Sequence, residues 1–291
     1  MLESTDTLWR YTKISTLLLL LEGKAWLPSV ASLRADDPLE GALGEGFYPE
    51  LWSELIKLDQ HEETERWLNE NLDSSARKLL ALNPRDAGLR TQILGQTYCE
   101  ILARRRSAWC WFRSHIESST MWSIYGNRGV AIMTDRHRLE EAMPRGKSFK
   151  IQEMAYVDRR PSSSRSIHNA FRHNPELIRK PYFLKAIEYE DEKEIRVVAH
   201  CPEGAHGVML TDIDPVKLIR EITISPLFPK AEADALISTL SQKLPSATIT
   251  RSRLLPESES GNFIPSLIEG LFGSTDDNMN LEALPEPLRQ L

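Results

Sequence analysis

The sequence predicts an α+β fold in which a helical insertion at about 49–106 interrupts a mixed or antiparallel sheet. Within that insertion, apolar residues recur at helical spacing. On both sides of it, short apolar or alternating runs typical of strands predominate. With 291 residues, of which 41% are apolar and 27% charged, the chain has the composition of a folded globular protein. We therefore expect a single domain over 1–255 and a Pro-rich C-terminal tail over 256–291.

The first half of the chain alternates strands with helices. We predict strands at 8–12, 25–28 and 108–112, and helical segments at 14–21, 49–80, 87–106 and 117–126. Gly23 and Gly126 follow apolar runs, as glycines at helix ends do. Residues 36–41, Asp-Asp-Pro-Leu-Glu-Gly, have the composition of a turn that leads into a helix.

The second half is richer in strands. We predict strands at 129–134, 148–157, 193–200, 207–211, 219–225 and 247–253, and helices at 138–143 and 230–244. Residues 167–186 have a mixed pattern that we interpret as helical. The polar loop at 158–166, rich in Arg and Ser, has the composition of a surface loop or lid.

Composition narrows the classes of function. A net charge of −6 argues against a broad coating of nucleic acid. The three cysteines, Cys99, Cys110 and Cys201, have no C-x-x-C spacing and indicate reduced thiols. The apolar run 14–21 is shorter than the roughly 18–20 residues that span a membrane, and it lacks the features of a signal peptide. We expect a cytoplasmic protein with no membrane partner.

The most informative stretch is 182–201, where charged residues lead into an apolar strand. If it is extended, Glu192, Glu194 and Arg196 lie on one face. Like charges side by side destabilise a sheet. This arrangement therefore favours a site that recognises a sugar hydroxyl or a developing positive charge. The alternative is a solvated edge strand whose charges prevent aggregation.

Several fragments, in order along the chain, resemble the bacterial domain-of-unknown-function family 2971. They are Leu8–Thr12, Asp36–Gly41, Trp109–Trp111, Glu117–Gly126, Gly129–Ile132, Tyr156–Asp158, Tyr189–Arg196 and Leu218–Pro226. The resemblance covers most of 8–255. It implies that these fragments belong to one domain and brings no established activity.

The opening of the chain is also similar to ADP-ribosyltransferase-like proteins. In those proteins a strand with His or Arg, a Gly or Tyr, and Thr leads into an apolar helix and a glycine. Arg10, Tyr11, Thr12 and Gly23 occupy these places, and Trp122, Tyr125 and Glu194 follow in the family's order. The chain departs from the pattern because it has Arg where many members have His, and it has no Ser-Thr-Ser motif.

This second resemblance implies transfer of ADP-ribose from NAD to a nucleic acid or protein acceptor, as in a toxin or a defence effector. Glu194 is the first candidate for the catalytic carboxylate and Glu192 the second. The implied cofactor-binding residues are Arg10, Tyr11 and Thr12 at the ribose or pyrophosphate, Trp122 and Tyr125 at the nicotinamide, and Arg196 beside the carboxylate. No metal is implied. Basic residues of the loop 158–172 are implied contacts for the acceptor.

Two other functions remain open. One is a non-catalytic sensor or binding domain, in which the charges are structural and Arg10 forms an ion pair with Glu192 or Glu194. The other is a metal-dependent nuclease that uses Asp36 and Asp37 with the two glutamates. A cleft joining Arg10, Tyr125 and Glu194 would favour the transferase, whereas convergence of the four carboxylates would favour the metal site. Trp109, Trp111 and Trp122 are expected in the core.

Overall fold

A seven-stranded sheet organises the fold of this protein, whose structure is a computed structural model. The structure describes residues 6–35, 37–43, 47–48, 51–52, 61–126, 128–158 and 171–254. Most of the predicted 158–166 loop, part of the helical segment at 49–80, and the tail 256–291 therefore lie outside the described residues.

The bounds of the elements are as follows. The strands are β1 (Thr7–Lys13), β2 (Ala25–Pro28), β3 (Arg106–Arg113), β4 (Gly129–Asp135), β5 (Phe149–Glu153), β6 (Ala155–Val157), β7 (Leu184–Ala186), β8 (Glu194–His200), β9 (Gly207–Leu210), β10 (Glu221–Ile224) and β11 (Thr248–Arg251). The α-helices are α1 (Ile14–Leu21), α2 (His61–Glu70), α3 (Ser74–Leu82), α4 (Ala87–Arg105), α5 (Ser119–Met121), α6 (Arg136–Ala142), α7 (Pro215–Leu218) and α8 (Lys230–Lys243).

The large sheet has the strand order β11-β10-β4-β1-β3-β8-β5. Its β10–β11 pair is parallel, and its other neighbouring strands are antiparallel. Two small sheets pair β2 with β9 and β6 with β7. The predicted α+β class with a mixed sheet is confirmed. The strands of the large sheet come from both ends of the described chain, on either side of the helices α2–α4.

The two faces of the large sheet bury different clusters. On one face, Leu8, Trp109 and Ile195 belong to an apolar core that also contains Leu17 of α1 and Leu240 of α8. On the other face, α4 packs against β3 and β8, and a smaller aromatic cluster surrounds the start of β1. Trp109, Trp111 and Trp122 are all buried, as predicted for core residues. The site described below lies on the second face.

Two helices of the insertion, α3 and α4, begin at aspartates. Asp73 Oδ1 accepts a hydrogen bond from the Ala76 amide, and Asp86 Oδ1 accepts one from the Leu89 amide. A side-chain acceptor at this position satisfies an amide that has no partner within the helix. The described part of the predicted 49–80 segment is therefore two helices, because α3 starts anew at Asp73. None of the described helices is long and apolar enough to cross a membrane.

Three predictions for the second half of the chain need correction, and they concern the segments 148–157, 167–186 and 193–200. The predicted strand 148–157 is divided, since β5 joins the large sheet and β6 pairs with β7. The segment 167–186, interpreted as helical, contains the 3₁₀ helices Pro175–Arg179 and Pro181–Phe183 followed by β7. Prolines lack an amide donor and fit only the first turn of a helix, so two short turns form instead of one long helix.

The strand predicted from residue 193 begins at Glu194. Glu192 ends the 3₁₀ helix Ile187–Glu192, and Lys193 between them has a left-handed φ of 43°. This conformation is costly for a residue with a side chain and breaks the extended path. The prediction that Glu192 shares a strand face with Glu194 is therefore wrong, although the two side chains still meet, as shown below.

Candidate functional site

The candidate site lies where β1 and β3 part. The two strands pair only near the start of β1, after which β1 continues along β4 and β3 along β8. Arg10 bridges the gap, since its Nη1 donates to the Cys110 carbonyl at 2.6 Å. Its guanidinium carbon also lies 5.8 Å from the centroid of the Trp109 ring. Arg10 thus binds a backbone carbonyl rather than Glu192 or Glu194.

The strand register gathers side chains on one face beside this gap. Phe112 is paired with Trp9 on β1 and with Glu194 on β8, and Cys110 is paired with Arg196. Paired residues point to the same side of a sheet, as do residues two apart on one strand. Six side chains therefore share this face: Trp9, Tyr11, Cys110, Phe112, Glu194 and Arg196. The predicted common face of Glu194 and Arg196 is present.

Arg196 lies at the centre of a buried ion network and is 0% exposed. Its Nε donates to Glu194 Oε1 at 2.7 Å and its Nη2 to Glu194 Oε2 at 3.1 Å. The other edge of the guanidinium binds Glu40, with Nη1 at 2.7 Å from Oε1. Nη1 also donates to the Tyr182 carbonyl at 2.9 Å. Arg196 therefore holds two carboxylates in a fixed position, as a planar guanidinium does well.

Lys185 of β7 extends the network toward Glu192. Its Nζ donates to Glu192 Oε2 and, at 3.3 Å, to Glu194 Oε2. The same ammonium lies 4.8 Å from the centroid of the Tyr189 ring. Burial lowers the pKa of Lys185, but the two carboxylates outweigh burial and the net shift is upward. Lys185 is therefore a permanent cation that joins the 3₁₀ helix to the strand.

Glu194 has both oxygens occupied and is 3% exposed. Burial alone would raise its pKa. Arg196 and Lys185 outweigh burial and lower the pKa from 4.5 to about 2. The carboxylate is therefore ionised at neutral pH and already bound by protein donors, so it is poorly placed to accept a hydrogen bond from a ligand.

Glu192 differs from Glu194 in both respects. In the part of the chain that the structure describes, Lys185 is its one hydrogen-bond partner, and its side chain remains 15% exposed. Burial raises the pKa of Glu192, and the attraction of Lys185 only partly offsets this. Glu192 is thus the carboxylate of the pair that has an oxygen available to a ligand.

These residues border a cavity of about 190 Å³. Its aromatic lining residues are Trp9, Tyr11, Trp111, Phe112, Tyr125 and Tyr189. Its charged lining residues are Arg10, Asp37, Glu40, Lys185, Glu192, Glu194 and Arg196. A concave space with apolar rings and a few convergent polar groups is the usual form of a small-molecule site.

Three of the lining residues carry a buried polar atom that has no partner among the described residues. They are Asp37 Oδ2, Arg10 Nε and Trp111 Nε1. Buried polar atoms in folded proteins nearly always find a partner in protein, water or ligand. Trp111 belongs to the apolar core on the opposite face of the sheet, so Asp37 Oδ2 and Arg10 Nε are the atoms that indicate a polar molecule, solvent or ligand, in the cavity.

The structure brings most of the predicted site residues together. Arg10, Tyr11, Tyr125, Glu192, Glu194 and Arg196 line the same cavity. Thr12 does not line it, and instead borders a separate space of about 10 Å³ beside Trp109. Trp122 does not line it either.

Trp122 serves the packing behind the cavity. Its Nε1 donates to Glu117 Oε2 at 3.0 Å, and its ring meets Tyr11 edge-to-face at 4.9 Å between centroids. Gly126 makes room for this ring, because a Cβ there would lie 2.2 Å from it. Tyr11 in turn accepts a hydrogen bond from the Ser118 amide at its hydroxyl. Tyr125, rather than Trp122, is the ring that borders the cavity.

The site also contains residues that the sequence did not single out for it. Glu40 and Lys185 complete the ion network, and Cys110 borders it. Burial raises the pKa of the Cys110 thiol, which disfavours the thiolate, the reactive form of cysteine. From the sequence, Glu40 had been interpreted as part of a turn and helix start, with a cation site at 36–40 as the alternative.

Asp37, Glu192 and Glu194, three carboxylates of the metal-site alternative, line one cavity, but they form no metal-binding cluster in the described residues. Nowhere among them do three His, Cys, Asp or Glu side chains group so that they could hold a metal ion. Lys185 lies between Glu192 and Glu194 and neutralises charge that a cation would otherwise bind. Asp36, the remaining member of that hypothesis, lies outside the described residues.

In comparisons with known proteins, no family model, no curated protein and no solved structure matches the chain. The resemblances to family 2971 and to ADP-ribosyltransferase-like proteins therefore stay predictions.

Replacing Arg196 should be strongly destabilising. Arg196→Met leaves Glu40 without its buried partner and Glu194 with Lys185 alone. Breaking a buried ion pair on one side costs about 3–5 kcal/mol. We expect a loss of this size in the free energy of unfolding, measured by urea denaturation. As a control, Arg136→Met removes the more exposed Arg136–Glu140 pair and should cost less than about 1 kcal/mol. Equal losses in the two variants would contradict the central role of Arg196.

Glu194 should give the fold a defined acid dependence. Its pKa falls from 4.5 to about 2 on folding. Its contribution to stability is therefore present above about pH 4.5 and is lost as the pH falls toward 2. The wild-type protein should be more stable than Glu194→Gln by a constant margin near neutral pH, and the margin should shrink in acid. Urea denaturation of both proteins at a series of pH values measures this difference in the free energy of unfolding. A difference that does not change with pH would contradict the lowered pKa of Glu194.

Proposed function

We propose that this protein is an NAD-consuming enzyme that binds the nicotinamide end of NAD in the cavity and transfers the ADP-ribose portion to an acceptor. The observation that carries the proposal is that one cavity joins Arg10, Tyr125, Glu192 and Glu194. This is the arrangement that the sequence predicts for a transferase. Its residues come from β1, the π-helix Trp122–Gly126, the 3₁₀ helix Ile187–Glu192 and the start of β8.

The dimensions of the cavity suit one end of a dinucleotide. Pockets that enclose a drug-sized ligand measure roughly 300–1,000 Å³, whereas this cavity measures about 190 Å³. A ring and its sugar would fill it, and the rest of the ligand would lie outside. Tyr125 is 42% exposed while bordering the cavity, so its ring is available for stacking at the entrance.

The structure changes which carboxylate we assign to catalysis. Glu194, the first candidate from the sequence, is already bound by Arg196 and Lys185. One oxygen of Glu192 has no donor in the described part of the chain and can accept a hydrogen bond from a ribose hydroxyl. In this proposal Glu192 contacts the substrate, and Glu194 is a positioning residue that acts through Lys185.

The proposed reaction requires stabilisation of a positive charge. The bond between ribose C1′ and the ring nitrogen breaks, and nicotinamide leaves with the bonding electron pair. Positive charge then develops on the ribose, where a fixed carboxylate stabilises it. An oxygen or nitrogen of the acceptor, or the oxygen of a water molecule, forms the new bond to C1′. The proton that this atom carried passes to solvent.

Arg10 would contribute binding rather than chemistry. One edge of its guanidinium is held by the Cys110 carbonyl, and its Nε has no partner in the described part of the chain. A planar guanidinium fixed in this way presents donors to a hydroxyl or a phosphate oxygen. The acceptor, a nucleic acid or a protein, would reach the site from the open side.

One observation favours a second function, a non-catalytic sensor or binding domain. The network of Glu40, Arg196 and Glu194 is satisfied without any ligand. A complete network of this kind needs no further partner to justify its charges. In that function the cavity would bind a ligand and leave it unchanged.

The deciding experiment measures NAD binding and nicotinamide release by the purified protein, with and without RNA, DNA and lysate protein. Glu192→Gln should keep NAD binding but slow release by at least about 100-fold, the effect of losing one stabilising group at a developing charge. Glu190→Gln, on the same 3₁₀ helix but exposed and outside the cavity lining, should release nicotinamide at the wild-type rate.

Each other outcome has a distinct meaning. Binding of NAD without release would support the sensor. Release that is unchanged in Glu192→Gln would exclude Glu192 as the catalytic carboxylate. Absence of both binding and release would refute the NAD proposal as a whole. Because Glu194→Gln should reduce stability, it cannot serve as the main test of catalysis.

A further inference from the structure

Asp37 is a third buried carboxylate of the cavity wall, after Glu40 and Glu194, and the ion network does not include it. It lies in the turn after the 3₁₀ helix Val30–Ala35, where its Oδ1 accepts a hydrogen bond from the Leu39 amide at 3.0 Å. The residue is 4% exposed and lines the cavity. Its Oδ2 has no hydrogen-bond partner within the described ranges.

None of the three lining cations is hydrogen-bonded to Asp37 in the described part of the chain, and Arg10 donates to the Cys110 carbonyl instead. Arg196 binds Glu40 and Glu194, and Lys185 binds Glu192 and Glu194. A buried carboxylate oxygen without a donor is unfavourable. Asp37 Oδ2 therefore needs an N–H or O–H donor, which a molecule bound in the cavity would supply.

The charge of the lining favours a particular kind of donor. Four carboxylates and three cations border the cavity, which leaves an excess of negative charge. A ligand group that is anionic would meet Asp37 as a like charge, and like charges at an interface exclude wrong partners. A neutral or cationic group that carries N–H donors satisfies both the charge and the unpaired oxygen.

We propose that Asp37 determines which chemical form of the ligand enters the cavity: it accepts a hydrogen bond from the primary amide of a pyridine ring and rejects a ring that bears a carboxylate instead. The inference rests on the proposed function and deepens it. The substrate class becomes the amide form of the dinucleotide and excludes the acid form. Asp37 is a specificity residue, distinct from Glu192, which faces the reacting sugar.

The test compares nicotinamide with nicotinic acid, which differ only in this group and undergo no turnover. Calorimetric titration of the full-length protein should show that nicotinamide binds at least about tenfold more tightly than nicotinic acid. The carboxylate of nicotinic acid cannot donate a hydrogen bond to Asp37 and meets it as a like charge. Asp37→Asn keeps the acceptor for the Leu39 amide and can place an NH₂ group at the position of Oδ2. This variant should erase or reverse the preference.

A matched control is Asp214→Asn. Asp214 Oδ1 likewise accepts from the amide two residues on, that of Val216, but Asp214 lies outside the cavity lining. The Asp214→Asn variant should prefer nicotinamide over nicotinic acid to the same extent as the wild type. If Asp37→Asn does not fold, Asp37→Ser removes the charge while its hydroxyl retains an acceptor for Leu39, and it should bind the two ligands about equally.

NAD is titrated in parallel to separate the two proposals. If NAD binds but the wild type does not discriminate between the two rings, or if Asp37→Asn and Asp37→Ser keep the wild-type preference, the role of Asp37 is overturned and the proposed function stands. If neither NAD nor nicotinamide binds, the proposed function fails and this inference fails with it.

Discussion

The buried guanidinium of Arg196 is the interaction on which the site depends. It joins Glu194 on its own strand to Glu40 in the turn that precedes the helical insertion. Desolvating one cation and two carboxylates is costly unless their hydrogen bonds are complete. Here both carboxylates are bound, and the Tyr182 carbonyl takes a further bond. This completeness fixes the turn against the sheet and so defines one wall of the cavity.

The same network separates the roles of two neighbouring glutamates. Glu194 starts β8 and faces Arg196, whereas Glu192 ends a 3₁₀ helix and reaches the network only through Lys185. The left-handed residue Lys193 makes this difference possible, because it turns the chain between them. A continuous strand would have put both carboxylates into equivalent positions. The break gives one of them a structural role and leaves the other open to a ligand.

The sequence predicted the fold class and most strand positions, because periodicity is a local pattern. The charge pattern of 182–201 likewise predicted that Glu194 and Arg196 share a face. The sequence did not predict Glu40 as the partner of Arg196, because the contact spans 156 positions of the chain and no local pattern encodes such a pairing. It assigned Trp122 to a ligand although the ring is buried against Tyr11. Prolines at 175 and 181 also divided a segment whose mixed pattern had suggested a helix.

The helical insertion leaves and re-enters the fold beside the cavity. The chain leaves the large sheet after β1 and passes through α1 and β2. Before α2–α4 begin, it places Asp37 and Glu40 at the cavity. It returns as β3, which carries Cys110 and Phe112 on the same face. Both ends of the excursion are therefore held at the site, one by a buried ion pair and the other by the strand ladder. The helices α2–α4 lie between these fixed ends, and none of their residues lines the cavity. The cavity, rather than the insertion, is thus the part of this protein whose geometry the buried charges maintain.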